Sequence, residues 1–277
     1  MEGPDGTVYT NEAWFQFEIS TPYIDPPSPK TYRQNDPWPG KGAWVIVCQH
    51  AFDYLVGHSD LYGEVDPYVG LAGAAGANVY PPASGGVAYA LNFATPSADT
   101  DWNNFKTAVT NSLSRNMFYF GHGDPAGLGQ NLKNPVRSLL AKDIATMLHT
   151  IPAGQTNRHA YRMVILDGCS TAAGTLPESF GIQHKENVPS IDYANAGMRM
   201  QSFCGWSADK YIGFLNGGAL NYDHIYFFQW INYYLAQGQT IKDAVQHAST
   251  TPGVVFVATS EFKLFGCWDI TWGAQNQ

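Results

Sequence analysis

The 277-residue chain reads as an α/β protein built on a central, mostly parallel sheet of about six strands. Apolar runs rich in Val, Ile, Phe and Tyr recur along it at lengths that suit buried strands. Helix-length segments with capping signals separate several of those runs. Two of the runs, 116–123 and 161–170, break off abruptly into small residues and one chemically capable side chain each, His122 and Cys169. Strand–helix alternation implies parallel strands with helices on both faces. In such open sheets ligands bind at the carboxyl ends of the strands.

The elements follow in order. Residues 1–40 are Pro-rich and aromatic, with one alternating stretch at 13–19; they read as an edge strand and an extended arm packed on a main domain spanning 41–277. Residues 43–48 form the first buried strand. A Gly/Ala/Pro-rich stretch at 57–86 reads as a long loop, and loops of that length are functional or disordered. Residues 87–94 are the second strand, and 101–113 a helix capped by Thr100 or Asp99. After the His-bearing strand comes a helix at 136–149, then the Cys-bearing strand at 161–167 and a further strand at 200–206. An aromatic helix at 223–236 stops at Gly238. Thr240 caps the next helix, 240–249, with Asp243 at the capping-box spacing. Residues 264–271 form the last strand.

Composition excludes several functions. A net charge of −8 and a pI near 5.4 leave no basic stripe for nucleic-acid phosphates. Charged residues make up 14% of the chain, below the usual ~25%, and aromatics another 14%. This is a composition of structured loops with aromatic anchors. No stretch reaches the roughly 18 apolar residues of a membrane span, and residues 1–10 are polar, unlike a signal peptide. The sequence thus reads as soluble, in the cytoplasm or as the mature part of a secreted protein. Four cysteines are too few for a disulfide scaffold. Cys48, Cys204 and Cys267 sit in apolar runs and read as buried free thiols. The eight histidines show neither H-E-x-x-H nor paired-Cys spacing, so no metal or other cofactor is expected.

A thiol is a weak nucleophile until a nearby imidazole takes its proton or lowers its pKa. Attack on a carbonyl then develops an oxyanion that needs backbone N–H donors. Gly123 and Gly168 offer backbone without a Cβ, where a substrate can come close. His122 and Cys169 lie 47 residues apart (169 − 122), room for one crossover helix.

Gly121-His122-Gly123 after one strand and Asp167-Gly168-Cys169 after the next resemble the caspase-like cysteine peptidases: caspases, metacaspases, gingipains and the CHAT group. The spacing agrees with the roughly 50 residues between His and Cys in caspases. Residues 202–207, the helical block 222–247 and residues 265–269 resemble later elements of the gingipain and CHAT branch, so the resemblance covers about 43–272. It implies a three-layer sandwich in which Cys169 is the nucleophile and His122 the general base. The backbone N–H groups of Gly123 and Cys169 would form the oxyanion hole. Asp167 matches an acidic residue that helps hold a basic P1 side chain in metacaspases. The chain departs from that branch at Ser170-Thr171-Ala172, and it lacks the Arg that follows the Cys in caspases. Cleavage after Asp is therefore disfavoured and cleavage after Arg or Lys is the expectation. The loop 183–200, with Lys185 and Arg199, stands where such enzymes carry processing sites, so self-cleavage there is a further expectation.

Two other motifs compete. Gly168-Cys169-Ser170-Thr171-Ala172 fits a loosened G-x-S-x-G elbow with Ser170 as the nucleophile of a serine hydrolase, but Gly174 and Pro177 follow where that elbow needs a helix. Residues 121–126 fit G-x-G-x-x-A, yet Pro125, Gly127 and Gly129 leave no helix to hold a pyrophosphate. A non-enzymatic reading also stands beside the peptidase: a catalytically silent scaffold or assembly subunit docking through the arm at 1–40. The partners expected are a peptide or protein substrate, and a protein or second copy at that arm, with no nucleic acid and no membrane span.

Overall fold

The computed structural model describes residues 43–49, 79–80, 89–91, 108–109, 114–128, 139–149, 161–209, 214–215, 219–220, 222–252 and 259–272. The arm at 1–40, most of the stretch 57–86 and most of the helix expected at 101–113 lie outside them; Ala108 and Val109 are helical.

A sheet of seven strands organises the fold. Five of them are long: β1 (Ala43–Gln49), β4 (Ser114–Phe120), β8 (Met163–Asp167), β9 (Ser202–Trp206) and β12 (Phe262–Gly266); β10 (Phe214–Leu215) and β11 (Ala219–Leu220) pair with each other in a separate sheet. The short β2 (Val79–Tyr80) and β3 (Tyr89–Leu91) pair with successive stretches of β1 and so share one position beside it. The order is β12-β9-β8-β4-β1 with β2 and β3 outermost, and every pairing is parallel except β9 with β12. The expectation of about six mostly parallel strands holds. The arrangement is consistent with the three-layer sandwich that the motif resemblance implies.

Side chains alternate across a strand, and both faces here are apolar. Phe118, Phe120, Met163, Ile165, Cys204 and Trp206 face one layer. Met117, Tyr119, Val164, Leu166 and Phe203 face the other. The first layer consists of α4 (Tyr222–Ala236) and α5 (Ile241–Thr250), which contribute Phe227, Phe228, Ile231, Leu235, Ile241 and Ala244. The second contains α1 (Ala141–His149) and α2 (Leu176–Ser179), with Ile144, Leu148 and Leu176. Phe227 and Phe228 of α4 are therefore core packing, while Tyr226 and Tyr233 on the same helix are exposed. Phe228 meets Phe118 at 5.8 Å, Trp206 at 6.2 Å and Phe262 at 5.5 Å between ring centroids, each near edge-to-face.

Boundaries move where backbone groups find other partners. The helix expected from 136 begins at Ala141, because β7 (Leu139–Leu140) pairs with β6 (Gly127–Leu128), itself paired with β5 (Gly123–Asp124). The β5–β6 hairpin occupies the place where a dinucleotide fold would start a helix. The last strand starts at Phe262 and ends at Gly266, ahead of the 264–271 expected. Beyond it the backbone turns to other duties. Cys267 N–H donates to Gln201 O, while the carbonyls of Trp268 and Ile270 accept from Lys242 and Ile241 at the start of α5. Thr240 Oγ1 accepts the Asp243 N–H there, as the capping spacing predicts.

The loop 183–200 contains α3 (Ser190–Asn195), and its first part is zipped to β12. Gly266 N–H donates to Lys185 O at 2.8 Å and Val188 N–H to Gly266 O at 2.9 Å. Exposed, unpaired loop tips are the preferred sites of cleavage. The pairing ties down the Lys185 carbonyl, while Arg199, the other basic residue of the loop, lies beyond the paired stretch.

No described helix is long and apolar enough to cross a membrane. Phe228→Ala, emptying a fully buried aromatic site, should lower unfolding free energy by about 3–5 kcal/mol, read from urea denaturation followed by circular dichroism.

Candidate active site

β4 and β8 run in parallel register with Phe120 opposite Asp167. The ladder goes on past the strands, Gly121 N–H donating to Asp167 O at 2.9 Å. His122 and Cys169 each lie two residues beyond that last pair. Adjacent strands are only about 4.8 Å apart, so equal offsets put both residues on the same edge of the sheet. Both are partly exposed. The phenol of Tyr119, buried in β4, donates to His122 O at 2.7 Å and fixes the backbone from which the imidazole springs.

The other described thiols differ. Cys204 and Cys267 are fully buried. Burial pushes the Cys204 thiol up to about 12. Burial and the neighbouring Asp269 carboxylate push Cys267 up as well. Both stay protonated and inert at neutral pH. Of the three thiols whose side chains the structure describes, Cys169 alone is partly exposed; the side chain of Cys48 lies outside the description.

The glycines also have a packing role. A Cβ on Gly123 would lie 2.5 Å from Thr171 Cγ2 and 3.0 Å from Cys169 O. One on Gly168 would lie 3.0 Å from Gly121 O and 3.1 Å from the same methyl. They let the His loop and the Cys loop press against each other. Thr171 is the wedge between them, fully buried. Its Oγ1 donates to Gly168 O at 3.0 Å and lies 3.3 Å from the Trp206 N–H, which donates to it. A Cβ on Gly205 of β9 would come within 2.7 Å of that hydroxyl.

Thr171 N–H reaches back to Gly168 O at 3.4 Å, closing a four-residue turn with Cys169 at its first corner and Ser170 at its second. Ser170 has φ +51°. Type II turns require a positive φ there and ordinarily use Gly or Asn, since other residues incur about 1–3 kcal/mol of backbone strain. Ser170 is held instead. Its N–H donates to Ala208 O at 3.0 Å, and its Oγ donates to Asp209 Oδ1 at 2.6 Å.

Asp167, which the resemblance matches to an acidic residue that helps hold a basic P1 side chain, lies inside the fold. Strand alternation turns it to the α4/α5 side with Met163 and Ile165, where it is 2% exposed. Its Oδ1 accepts the Trp206 indole N–H at 2.7 Å. A carboxylate nearer the rim is Asp124, half-buried and two residues past His122. Burial pushes its carboxyl up, and so does the charge of Asp209, against hydrogen bonds from the Ala126 and Gly127 N–H groups.

Sequence reasoning missed Tyr119, Thr171, Trp206, Asp124 and Asp209. Tyr119 and Trp206 carry a detectable signal, a polar tip in an apolar strand that must find a partner when buried. Asp209 has none, because its partner is 39 residues away.

Gly168→Ala should force the two loops apart and lower stability by about 1–3 kcal/mol, as overpacking does. Thr171→Val keeps the methyl but strips the hydroxyl from the Gly168 carbonyl and the Trp206 N–H, for a loss of about 1–2 kcal/mol. Urea denaturation of both variants checks this.

No protein-family model matches the chain, and no curated protein matches it. Among solved structures, the crystal structure of the Arg specific cysteine proteinase gingipain R is similar, with a TM-score of 0.48 and 11% sequence identity. The match covers 87% of this chain and 49% of that one, so this chain spans about half the length of its structural neighbour.

Proposed function

We infer that the chain is a cysteine peptidase in which His122 and Cys169 act as one unit. The observation that carries this reading is their equal offset past the last paired residues of two adjacent parallel strands, with the loops bearing them in backbone contact. The imidazole takes the thiol proton and the thiolate attacks the scissile carbonyl. The backbone N–H groups of Gly123 and Cys169 donate to the resulting oxyanion. Collapse expels the amine, which takes the proton back from the imidazolium, and water hydrolyses the thioester. Cys169→Ala and His122→Ala should each remove nearly all hydrolysis of a fluorogenic peptide, and the double variant should lose little more. A silent scaffold would show no hydrolysis, and no labelling of Cys169 by a peptide chloromethyl ketone.

Preference for Arg or Lys at P1 is the finer form of this reading. Its support is the acidic rim, where a cation would favour ionisation of the Asp124 carboxyl that burial and Asp209 oppose. In a P1-varied peptide panel, Arg or Lys should be preferred. Asp124→Asn should weaken that preference by about tenfold in kcat/KM, the scale of one partly buried charge pair. Loss of the preference in Asp167→Asn instead would return the cation to Asp167.

The strained φ of Ser170 favours a second reading as a serine nucleophile. Against it, Ser170 is 9% exposed, its hydroxyl donates to a carboxylate, and α2 begins only at Leu176. Loss of activity in Ser170→Ala with Cys169→Ala intact would decide for the serine.

A further inference from the structure

We propose that Asp209 is a positioning residue that, through its hydrogen bond to Ser170, holds the turn bearing Cys169 in the conformation that presents the thiol to His122. The proposal rests on the His122/Cys169 reading above. Three features carry it. Ser170 occupies the turn corner that requires a positive φ and stands there with φ +51°, a conformation that a side chain ordinarily resists. Its Oγ is committed to Asp209 Oδ1 at 2.6 Å, a short bond to a carboxylate and stronger than one between neutral groups. Asp209 follows β9, the strand on the far side of β8 from the His-bearing β4, so the tie pulls the turn from the side opposite His122.

The backbone around the tie is already secured. Ser170 N–H donates to Ala208 O at 3.0 Å and Ala172 N–H to Trp206 O at 2.7 Å, so losing the side-chain bond leaves the loop anchored. What it frees is the torsion of the residue next to Cys169. A glycine at 170 would adopt the same φ without strain but would also sample other values. The serine with its carboxylate partner supplies one fixed state, and a reactive pair needs that fixity because small displacements reduce rates steeply. Asp209 is exposed, so replacing it leaves the core intact.

The test measures the alkylation rate of Cys169 by iodoacetamide, a small neutral probe, on the full chain, with thermal midpoints measured in parallel. Modification is located by peptide mapping. Ser170→Ala, Ser170→Gly and Asp209→Ala should each slow alkylation by about tenfold with little change in midpoint. Asp209→Asn keeps the acceptor and should retain most of the rate, which a purely structural or purely charge-based role would not produce. If Asp209→Asn is as slow as Asp209→Ala, or if the three variants react as wild type, the positioning role is wrong. In the second case His122→Ala tells the two readings apart. Slowing there keeps the His/Cys pair and discards only the tie, and no slowing discards both.

Discussion

Everything at the edge of this sheet depends on how closely two strand ends can approach. β4 and β8 leave the sheet in register, and beyond it their loops touch backbone to backbone because Gly123 and Gly168 have no side chain to separate them. Thr171 fills the remaining space with its methyl and closes it with its hydroxyl, reaching β9 as well. The positions of His122 and Cys169 follow from that packing. A single added methyl at either glycine would be felt at both chemical groups, since close-packed interiors transmit such strain.

Around this contact the two faces of the sheet divide the work. Toward α4 and α5, an aromatic cluster anchored on Trp206, Phe228 and Phe262 provides stability, and the Trp206 indole reaches the Asp167 carboxylate from within it. Toward α1, the buried Tyr119 sends its phenol to the carbonyl of His122. Each face thus contributes one buried aromatic with a polar tip to the strand ends. A buried polar group must be paired, and here the pairing also fixes direction at the edge of the sheet. The site is supported from both layers.

Much of this was legible in the sequence, and the part that was not has physical reasons. The apolar runs ending at His122 and Cys169 announced both strands and their common edge, because period and abrupt termination are local properties. The Thr240 cap was legible for the same reason. The direction of Asp167 was not legible because β8 is apolar on both faces, so alternation gives two sets of residues without saying which set faces inward to what. The β5–β6 hairpin was hidden behind Gly and Pro that read equally well as loop. The Ser170–Asp209 bond could not be read at all, since nothing in either local sequence points to the other.

The segment at Lys185–Val188 has a consequence for the molecule as a member of a population. Sheet edges are templates, and an unpaired strand offers its N–H and C=O groups to any extended chain that drifts past. By hydrogen-bonding Lys185 and Val188 to Gly266, the chain spends those groups on itself along the side where β12 would otherwise be open. Strand addition by a second molecule at that stretch must first displace a piece of the same chain, tethered at both ends and therefore always at high local concentration. The same bonds that hold the loop down also close this stretch of β12 to strand addition.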